Sequence, residues 1–545
     1  RLEYSGTPFF MSVREVAIRR NTSQKRNNIQ SKHQTHNHTN DMKTSARLFL
    51  SCTALLLSAH LEAQTFTHIS SSEGNTWQQA KVRMQSSPRQ TPLLDVTDAT
   101  APITTFRAWG ATFNELDWDA LGLLTRDEQD EILHNVFAPD GDLRIARGRI
   151  SMGANDYARS WYSCDEMEGD FELRYFNIDR DKQAIIPFVR AAQKYNPDLT
   201  CWVSPWCPPS WMKINGDYPV LSSPYNKLPE KMNYLLYGQT GGETDPDEMK
   251  LTGERNGKFP KKLATTDYMI QDPRYLQTYA NMFCKFIDAY REQGIRIDMV
   301  MYQNEAYSYT PYPGCAWTAE GTIRFNRDYL APTLKRLHPD VKLYLGTFNT
   351  NRQDYVEKIL ADPQLQSCIS GMGFQWEGRE ILPEIRRQHP DWSYICSESE
   401  CGWGSFDWKA AEHTFELMNH YLGNGCNEYI FWNFILADNG ESPWGWKQNA
   451  LIRVDSQTRT YTYTPEYYAA KHYSHFIGRD TQIVGYHPAS EGNTPVLVAK
   501  TAEGKTVVVA GNFNDEARTV SLKLGNRYLN IELAPHSFNT LTEGR

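Results

Sequence analysis

The stretch "DMVMYQNEA", residues 298–306, is an apolar run that ends abruptly on polar side chains. Methionine, valine and tyrosine lead straight into Gln303, Asn304 and Glu305. A strand that is apolar on both faces is typical of a buried parallel sheet, because both faces are covered by other elements. A lone glutamate at the end of such a strand is commonly a solvated terminus or an ion-pair partner, so the rest of the chain must decide what Glu305 does.

Seven further short apolar runs have the same character. They are residues 106–113, 144–153, 200–206, 342–348, 370–376, 392–398 and 428–435. Helical patterns lie between them, for example at 273–294 and 408–425, and both of these end on a glycine, which commonly terminates a helix. A strand and then a helix, repeated eight times, predict an α/β fold with a closed (β/α)8 TIM barrel rather than an open doubly wound sheet.

The sequence pattern changes near Arg479: from there on, short β-strand patterns alternate with turn residues and no helical pattern follows them. We predict a (β/α)8 barrel over residues 101–478 and a small antiparallel β-sandwich over 479–545. Residues 64–100 precede the first barrel strand and are expected to add strands to the sandwich. The longest irregular stretch, 217–267, follows the third predicted strand and is expected to rise over the barrel mouth.

The segment 42–63 has the features of a secretory signal peptide. A charged start is followed by the apolar run "LFLSCTALLLSA" and by small Ala63, and the run is too short to span a bilayer. We therefore expect an exported protein that is secreted, periplasmic or at the cell surface. Lipoprotein anchoring at Cys52 is a less favoured alternative, because bulky residues precede it. Residues 1–41 are interpreted as a non-native extension or a disordered basic tail.

Composition excludes several classes of partner. The net charge is −8 and the mean hydropathy is −0.61, so we expect neither a nucleic-acid partner nor an integral membrane span. The cysteines lack the paired spacing of zinc sites, and we predict no metal and no cofactor. The 15 Trp and 30 Tyr would suit carbohydrate, since flat rings pack on the apolar faces of sugars.

A second carboxylate ends another predicted strand. Glu398 closes the run "WSYICSE", and in a barrel the carboxyl ends of all strands meet at one mouth. Two carboxylates at one mouth are the minimum apparatus for glycoside hydrolysis. The apolar run before Glu305 favours a protonated acid, whereas the serines flanking Glu398 could hydrogen-bond an anion. Glu400, two residues further, competes with Glu398 for this role.

Several longer motifs carry a family resemblance. They are "QNE" (303–305), "SPWCPPSWMK" (204–213), "SESECGWGSFDWKAAEHTF" (397–415), "YIFWNFIL" (429–436) and "TPEYYAAKHYSHF" (464–476). Together they resemble glycoside hydrolase family 30, with the endo-β-1,6-glucanase branch nearest and the glucosylceramidases more distant. The resemblance covers nearly all of residues 100–545 and implies a (β/α)8 barrel fused to a β-sandwich.

The resemblance also implies a mechanism and a set of site residues. It implies retaining hydrolysis by double displacement, with Glu305 as acid/base and Glu398 as nucleophile. It places Asn304 beside the sugar 2-hydroxyl, Trp206 and Trp432 as walls of the −1 subsite, and Asp156 and Tyr157 as hydroxyl ligands, with Gln375, Trp376 and Asn449 also in the pocket. Two features depart from the family: Ala306 replaces the usual proline, and the segment 217–267 is longer than expected.

The sequence thus predicts a cofactor-free retaining glycoside hydrolase, most specifically an endo-β-1,6-glucanase acting on a neutral β-glucan. A β-glucosidase, β-xylosidase or glucosylceramidase of the same family is the nearest alternative. A catalytically silent glycan-binding protein on the same scaffold is the alternative from another class. The presence of both acids disfavours the silent protein, and the polar composition of 217–267 disfavours a lipid-binding rim.

Overall fold

The computed structural model describes residues 65–238 and 264–544. The predicted N-terminal extension, the predicted signal peptide and Cys52 lie outside the described residues, as does the middle of the 217–267 segment.

The described chain contains strands and helices in alternation through its centre. The strands are β1 (Thr65–Ser72), β2 (Asn75–Arg83), β3 (Leu94–Val96), β4 (Thr104–Thr105), β5 (Ala108–Thr112), β6 (Arg147–Ser151), β7 (Thr200–Ser204), β8 (Ile297–Val300), β9 (Lys342–Phe348), β10 (Gly371–Gln375), β11 (Ser393–Glu398), β12 (Cys426–Phe431), β13 (Ile435–Ala437), β14 (Ile452–Asp455), β15 (Thr460–Tyr463), β16 (Gln482–His487), β17 (Val496–Lys500), β18 (Thr506–Asn512), β19 (Arg518–Leu524), β20 (Arg527–Leu533) and β21 (Ser537–Glu543). The α-helices are α1 (Glu115–Gly122), α2 (Arg126–Phe137), α3 (Ile185–Tyr195), α4 (Pro273–Glu292), α5 (Ala319–Arg324), α6 (Ala331–Leu337), α7 (Gln353–Leu360), α8 (Pro363–Gln366), α9 (Gly378–Gln388), α10 (Trp408–Gly423) and α11 (Pro465–Ser474). None of the described helices is both long and apolar enough to cross a membrane.

Strands β5 to β12 form a closed parallel barrel in chain order, and β12 pairs with β5 to close it. Each of the eight predicted apolar runs overlaps one of these strands, so the predicted (β/α)8 fold is confirmed. The physical basis of that prediction also holds, because every residue of β5, β6 and β10 is buried.

Two of the predicted helices begin and end where local chemistry requires. Helix α4 begins with Pro273, and the Asp272 carboxylate accepts a hydrogen bond from the Arg274 amide at 2.8 Å. Helix α10 begins after Asp407, which caps the Ala410 amide at 2.8 Å. Beyond their ends, Gly294 and Gly425 have backbone φ angles of 77° and 93°, which glycine adopts at little steric cost.

The terminal strands form two further sheets that share an apolar core. One sheet has seven strands in the order β2-β1-β21-β18-β17-β16-β4, and the other has three in the order β20-β19-β3. Phe66, Val508 and Leu541 from the larger sheet and Leu522 and Ile531 from the smaller one belong to a single buried cluster. The predicted β-sandwich is confirmed, and β1 of the N-terminal segment pairs with β21 of the C-terminal part.

Inside the barrel an apolar layer separates two charged layers. Trp202, Met299, Met301, Tyr344, Ile395 and Ile430 form the apolar layer. Toward the amino ends of the strands, Arg147 pairs with Asp298 at 2.6 Å and with Glu428 at 3.1 Å. Toward the carboxyl ends lies a second arginine, Arg149, and its partners belong to the candidate site. Because side chains two residues apart in a strand point to the same side, β6 places both arginines inside the barrel.

Candidate active site

Glu305 lies just beyond the carboxyl end of β8 and is held in an unusual backbone conformation. Its φ angle is 46°, in the left-handed region, where a residue other than glycine is strained. The Glu305 amide donates a hydrogen bond to Thr347 Oγ1 at 3.0 Å, and the Gln375 side chain donates to Glu305 Oε1 at 3.0 Å. These contacts keep the carboxyl group, only 8% exposed as a residue, at the barrel mouth.

Glu398 is the last residue of β11 and is held by two donors from other strands. Arg149 Nη1 donates to Glu398 Oε2 at 2.5 Å, and the Trp376 indole donates to Oε1 at 3.2 Å. The flanking serines do not perform the role expected of them: the Ser397 hydroxyl donates to Gln375, and Ser399 pairs with the Tyr429 hydroxyl. The expected hydroxyl ligands are therefore replaced by a buried cation and an indole.

Gln375 connects the two carboxylates. Its side-chain amide donates to Glu305, and it also lies against Glu398, where it lowers the pKa of that carboxyl. The same amide nitrogen lies 3.2 Å from Asn304 Oδ1. One amide in contact with both acids means that the two strand ends, distant in sequence, face a common space.

The surroundings of the two acids differ in charge. Burial, and then the charge of Glu398, raises the pKa of Glu305 to about 8. Burial also raises the pKa of Glu398, but the charge and the hydrogen bond of Arg149 oppose that rise. Near neutral pH, Glu305 therefore holds a proton, whereas Glu398 is paired with a guanidinium. These are the environments expected of a general acid and of a nucleophile.

This difference predicts an alkaline limit to activity. Because Glu305 must be protonated to act as an acid and its pKa is raised to about 8, kcat/KM is expected to fall as pH rises through that value. The measurement is kcat/KM for an oligosaccharide across the pH range, with protein integrity checked by circular dichroism at each pH. A rate that stays constant up to about pH 10 would contradict the assignment of Glu305 as the acid.

Arg149 is the main site residue that the sequence interpretation missed. It is fully buried, and besides Glu398 it donates to Asn304 Oδ1 at 2.7 Å and to Ser204 Oγ at 3.1 Å. Its guanidinium carbon also lies 4.5 Å from the centre of the Trp206 ring. The available signal was "RGRIS" (147–151), in which a buried strand carries two arginines on one face.

Two of the predicted pocket tryptophans pack together beside this arginine. The rings of Trp206 and Trp432 are stacked with centroids 5.0 Å apart, and each follows the end of a barrel strand. Tyr157 packs edge-on against Trp432, but its hydroxyl donates to the Gly440 carbonyl at 2.7 Å. Tyr157 thus packs against Trp432, and its hydroxyl proton is already used in the hydrogen bond to Gly440. A contact between Tyr157 and sugar stays a prediction.

Asp156 lies near the two catalytic candidates. Burial, together with the charges of Glu398 and Glu305, raises its pKa well above the ordinary value, and the charge of Arg149 opposes the rise only in part. A buried acid beside an acid pair is suited to exchange hydrogen bonds with sugar hydroxyls. The contact of Asp156 with sugar hydroxyls stays a prediction.

One other predicted residue, Asn449, makes no hydrogen bond to either catalytic candidate within the described part of the chain. Asn449 is buried, accepts a hydrogen bond from the Phe406 amide at 3.3 Å and lines a small cavity with Glu400 and Glu466. Its direct contact with sugar stays a prediction.

Glu400, the alternative nucleophile, is already engaged by two cationic side chains. It pairs with Arg379 at 3.0 Å and with His413 at 2.8 Å. Burial would raise the pKa of Glu400, but these partners hold it below its ordinary value. In the part of the chain that the structure describes, no group of three or more His, Cys, Asp or Glu side chains is placed to hold a metal ion.

Comparisons with known proteins agree with this architecture. The profile of the glycosyl hydrolase family 30 TIM-barrel domain matches residues 106–222 and 224–477. Putative glucosylceramidase 3 of Caenorhabditis elegans is 24% identical over 515 residues, 88% of this chain and 88% of that protein. Endo-1,6-beta-D-glucanase neg1 of Aspergillus fumigatus is 26% identical over 438 residues, 78% of this chain and 82% of that protein.

A solved structure shares the fold. The endo-beta1,6-glucanase BT3312 superposes with a TM-score of 0.69 at 20% identity, covering 88% of this chain and 99% of that one. The family profile spans more than half of the sequence and includes all eight barrel strands. The resemblance seen in the sequence motifs is thereby confirmed: this chain belongs to glycosyl hydrolase family 30 and is an O-glycosyl hydrolase.

Proposed function

We propose that this protein is a retaining endo-β-1,6-glucanase that cleaves a neutral β-glucan by double displacement. The observation that carries the proposal is the pair Glu305 and Glu398, connected through Gln375, with the nucleophile candidate paired to Arg149. One amide in contact with both carboxyl groups favours the short separation of about 5–5.5 Å that is typical of retaining enzymes.

In the first step, a Glu398 oxygen forms a bond to the anomeric carbon while the bond from that carbon to the glycosidic oxygen breaks. Glu305 transfers its proton to the departing oxygen, so the leaving chain departs as a neutral alcohol. Arg149 and Trp376 orient the Glu398 carboxylate for this attack. The product is a glycosyl ester on Glu398 and an ionised Glu305.

In the second step, Glu305 accepts a proton from water, whose oxygen attacks the anomeric carbon and releases Glu398 as a carboxylate. The charge of Glu398 contributes to the raised pKa of Glu305, and that charge is absent in the ester. The pKa of Glu305 is therefore lower in the intermediate, which suits its change from acid to base. Two displacements at one carbon restore the original β configuration.

The pocket chemistry supports a neutral sugar in the −1 position. Trp206 and Trp432 offer apolar rings, Asp156 offers a carboxyl group, and Asn304 offers its side-chain NH2 as a donor, because Asn304 Oδ1 already accepts from Arg149. Among the described residues, Trp403 and Tyr225 are exposed aromatic side chains, and both lie against loops that follow barrel strands. Aromatic rings of this kind suit a glycan chain.

The second candidate function is glucosylceramide hydrolysis, which the name of the Caenorhabditis elegans relative suggests. The relative from Aspergillus fumigatus, at similar identity, is named for β-1,6-glucan cleavage. The exposed aromatic residues favour the glucan. We also propose export directed by residues 42–63, barrel bounds of 101–478 and sandwich segments at 64–100 and 479–545, as the sequence predicts.

The first test is digestion of linear β-1,6-glucan by the purified chain. We expect oligosaccharides of several lengths at early times, because an endo-acting enzyme cuts within the polymer. Proton NMR of the first products is expected to show the β-anomer, as double displacement requires. Release of no sugar from glucan, with hydrolysis of glucosylceramide, would support the second candidate instead, and an α-anomer as the first product would contradict retention.

A further inference from the structure

Trp403 is a solvent-exposed aromatic residue in the loop after β11. It is 46% exposed, and its aromatic neighbours, Trp376 and Trp446, are partly buried. Its ring lies 5.6 Å from that of Trp446, nearly perpendicular to it, and 6.3 Å from that of Trp376. A large apolar surface left open beside a carbohydrate site points to a ligand that covers it.

The loop around Trp403 is built to keep that ring in place. Gly402 and Gly404 have φ angles of 59° and 78°, which are strained for other residues. A side chain at Gly404 would place its first carbon 2.6 Å from the Asn439 carbonyl oxygen, and one at Gly402 would lie 2.9 Å from the Asn449 amide nitrogen. The turn therefore packs against its neighbours, and Trp403 is presented on a supported loop.

The exposed ring is continuous with the catalytic pair. Trp376, which neighbours Trp403, donates its indole hydrogen to Glu398. On the other side, Trp446 packs 6.1 Å from Tyr312, which belongs to the loop that follows Glu305 and interacts electrostatically with Glu305, Asp156 and Glu398. The aromatic row of Trp376, Trp403, Trp446 and Tyr312 thus runs from the nucleophile to the acid.

The position of this row relative to the proton donor decides which sugar it contacts. The family resemblance assigns the −1 sugar to the side of Trp206 and Trp432, whose rings lie 4.5 and 5.5 Å from the Arg149 guanidinium carbon. The leaving sugar must lie where Glu305 can reach the glycosidic oxygen, and the row ends at Tyr312, seven residues after Glu305 on the same loop.

We propose that Trp403, supported by Trp446, is the platform on which the sugar unit of the leaving group packs its apolar face. The ligand is an uncharged pyranose unit of the glucan chain, and this inference rests on the proposed function. The platform would favour oligosaccharides over substrates whose leaving group has no ring. Asn449 acts here as a positioning residue, since it lies against Gly402 and caps the Phe406 amide.

The test compares two substrates in the Trp403→Ala variant. A linear β-1,6-gluco-oligosaccharide has a sugar as leaving group, whereas β-D-glucosyl fluoride releases only fluoride. We expect kcat/KM for the oligosaccharide to fall about tenfold, because the variant loses one aromatic contact and the apolar area that it buries. For the fluoride, kcat/KM is expected to change by less than about twofold, because fluoride makes no such contact. Trp403→Phe is expected to restore most of the loss.

Leu337→Ala is the matched control, because Leu337 is also 46% exposed but lies at the end of α6, which leads into the opposite end of the barrel. Equal losses on both substrates, or no loss on the oligosaccharide, would overturn the platform. If the unmodified chain cleaves the fluoride but not the glucan, the proposed function itself fails. Thermal unfolding of each variant shows whether any loss reflects folding.

Discussion

Glu398→Gln is expected to reduce kcat on β-1,6-glucan by more than about 10⁴-fold, because an amide cannot form the glycosyl ester on which double displacement depends. The substituted side chain has nearly the same shape and keeps one oxygen, which can replace Glu398 Oε2 as the acceptor from Arg149. The fold is therefore expected to survive better in this variant than in Glu398→Ala, which would remove the carboxylate partner of a buried guanidinium and one of its acceptors. Rate measurements and thermal unfolding of both variants test the two statements.

Glu400→Gln is the matched control for that experiment. Glu400 lies two residues beyond Glu398, in the loop after β11, and is a partly buried carboxylate, but it is paired with Arg379 and His413. Its substitution is expected to leave kcat within about tenfold of the unmodified enzyme, through a small effect on the loop. The opposite ranking, with Glu398→Gln active and Glu400→Gln inactive, would move the nucleophile to Glu400.

Glu305→Ala is expected to reduce kcat on glucan by about 10³-fold, within the range that general acid catalysis contributes. The loss should depend on the leaving group, because a dinitrophenolate departs without needing a proton. A dinitrophenyl β-glucoside is therefore expected to form the glycosyl ester quickly and then to accumulate it, since the base for the second step is missing. Burst kinetics monitor both steps.

Added azide tests the base role of Glu305 directly. Azide needs no base, so it is expected to restore turnover of the dinitrophenyl glucoside by Glu305→Ala and to yield a β-glucosyl azide. Glu377→Ala is the control, because Glu377 is a partly buried acid close enough to influence the pKa of Glu305. Unchanged kinetics in Glu305→Ala, or an α-azide product, would exclude Glu305 as the acid/base of a double displacement.

The sequence predicted the fold because its signals are local. Each barrel strand is a short, mostly buried run, and helices α4 and α10 are bounded by local signals, such as the cap Asp407 at the start of α10 and Gly294 after the end of α4. The two acids could be chosen for a similar reason. Glu305 and Glu398 both interrupt apolar runs at a strand end, and the barrel topology brings every strand end to one mouth.

The partners of those acids could not be predicted in the same way. The serines beside Glu398 were the nearest donors in sequence. In the structure, Arg149 of β6 and Trp376, which follows β10, donate the hydrogen bonds to Glu398 instead. Tyr157 was expected to face sugar, but its hydroxyl is bonded to Gly440 in a distant loop. These hydrogen-bond partners are side chains that meet across the barrel, and they cannot be predicted from neighbouring positions in the sequence.

By itself, the sequence determined the alternation of strands and helices, the sandwich at the chain ends and the two carboxylates at strand ends, since burial and turn chemistry act over a few residues. Only the tertiary structure decided the electrostatics of the pair. Closure of the barrel buries both carboxyl groups, pairs Glu398 with the Arg149 guanidinium and gives Glu305 a bond from the neutral Gln375 amide, a difference that suits the proposed nucleophile and acid.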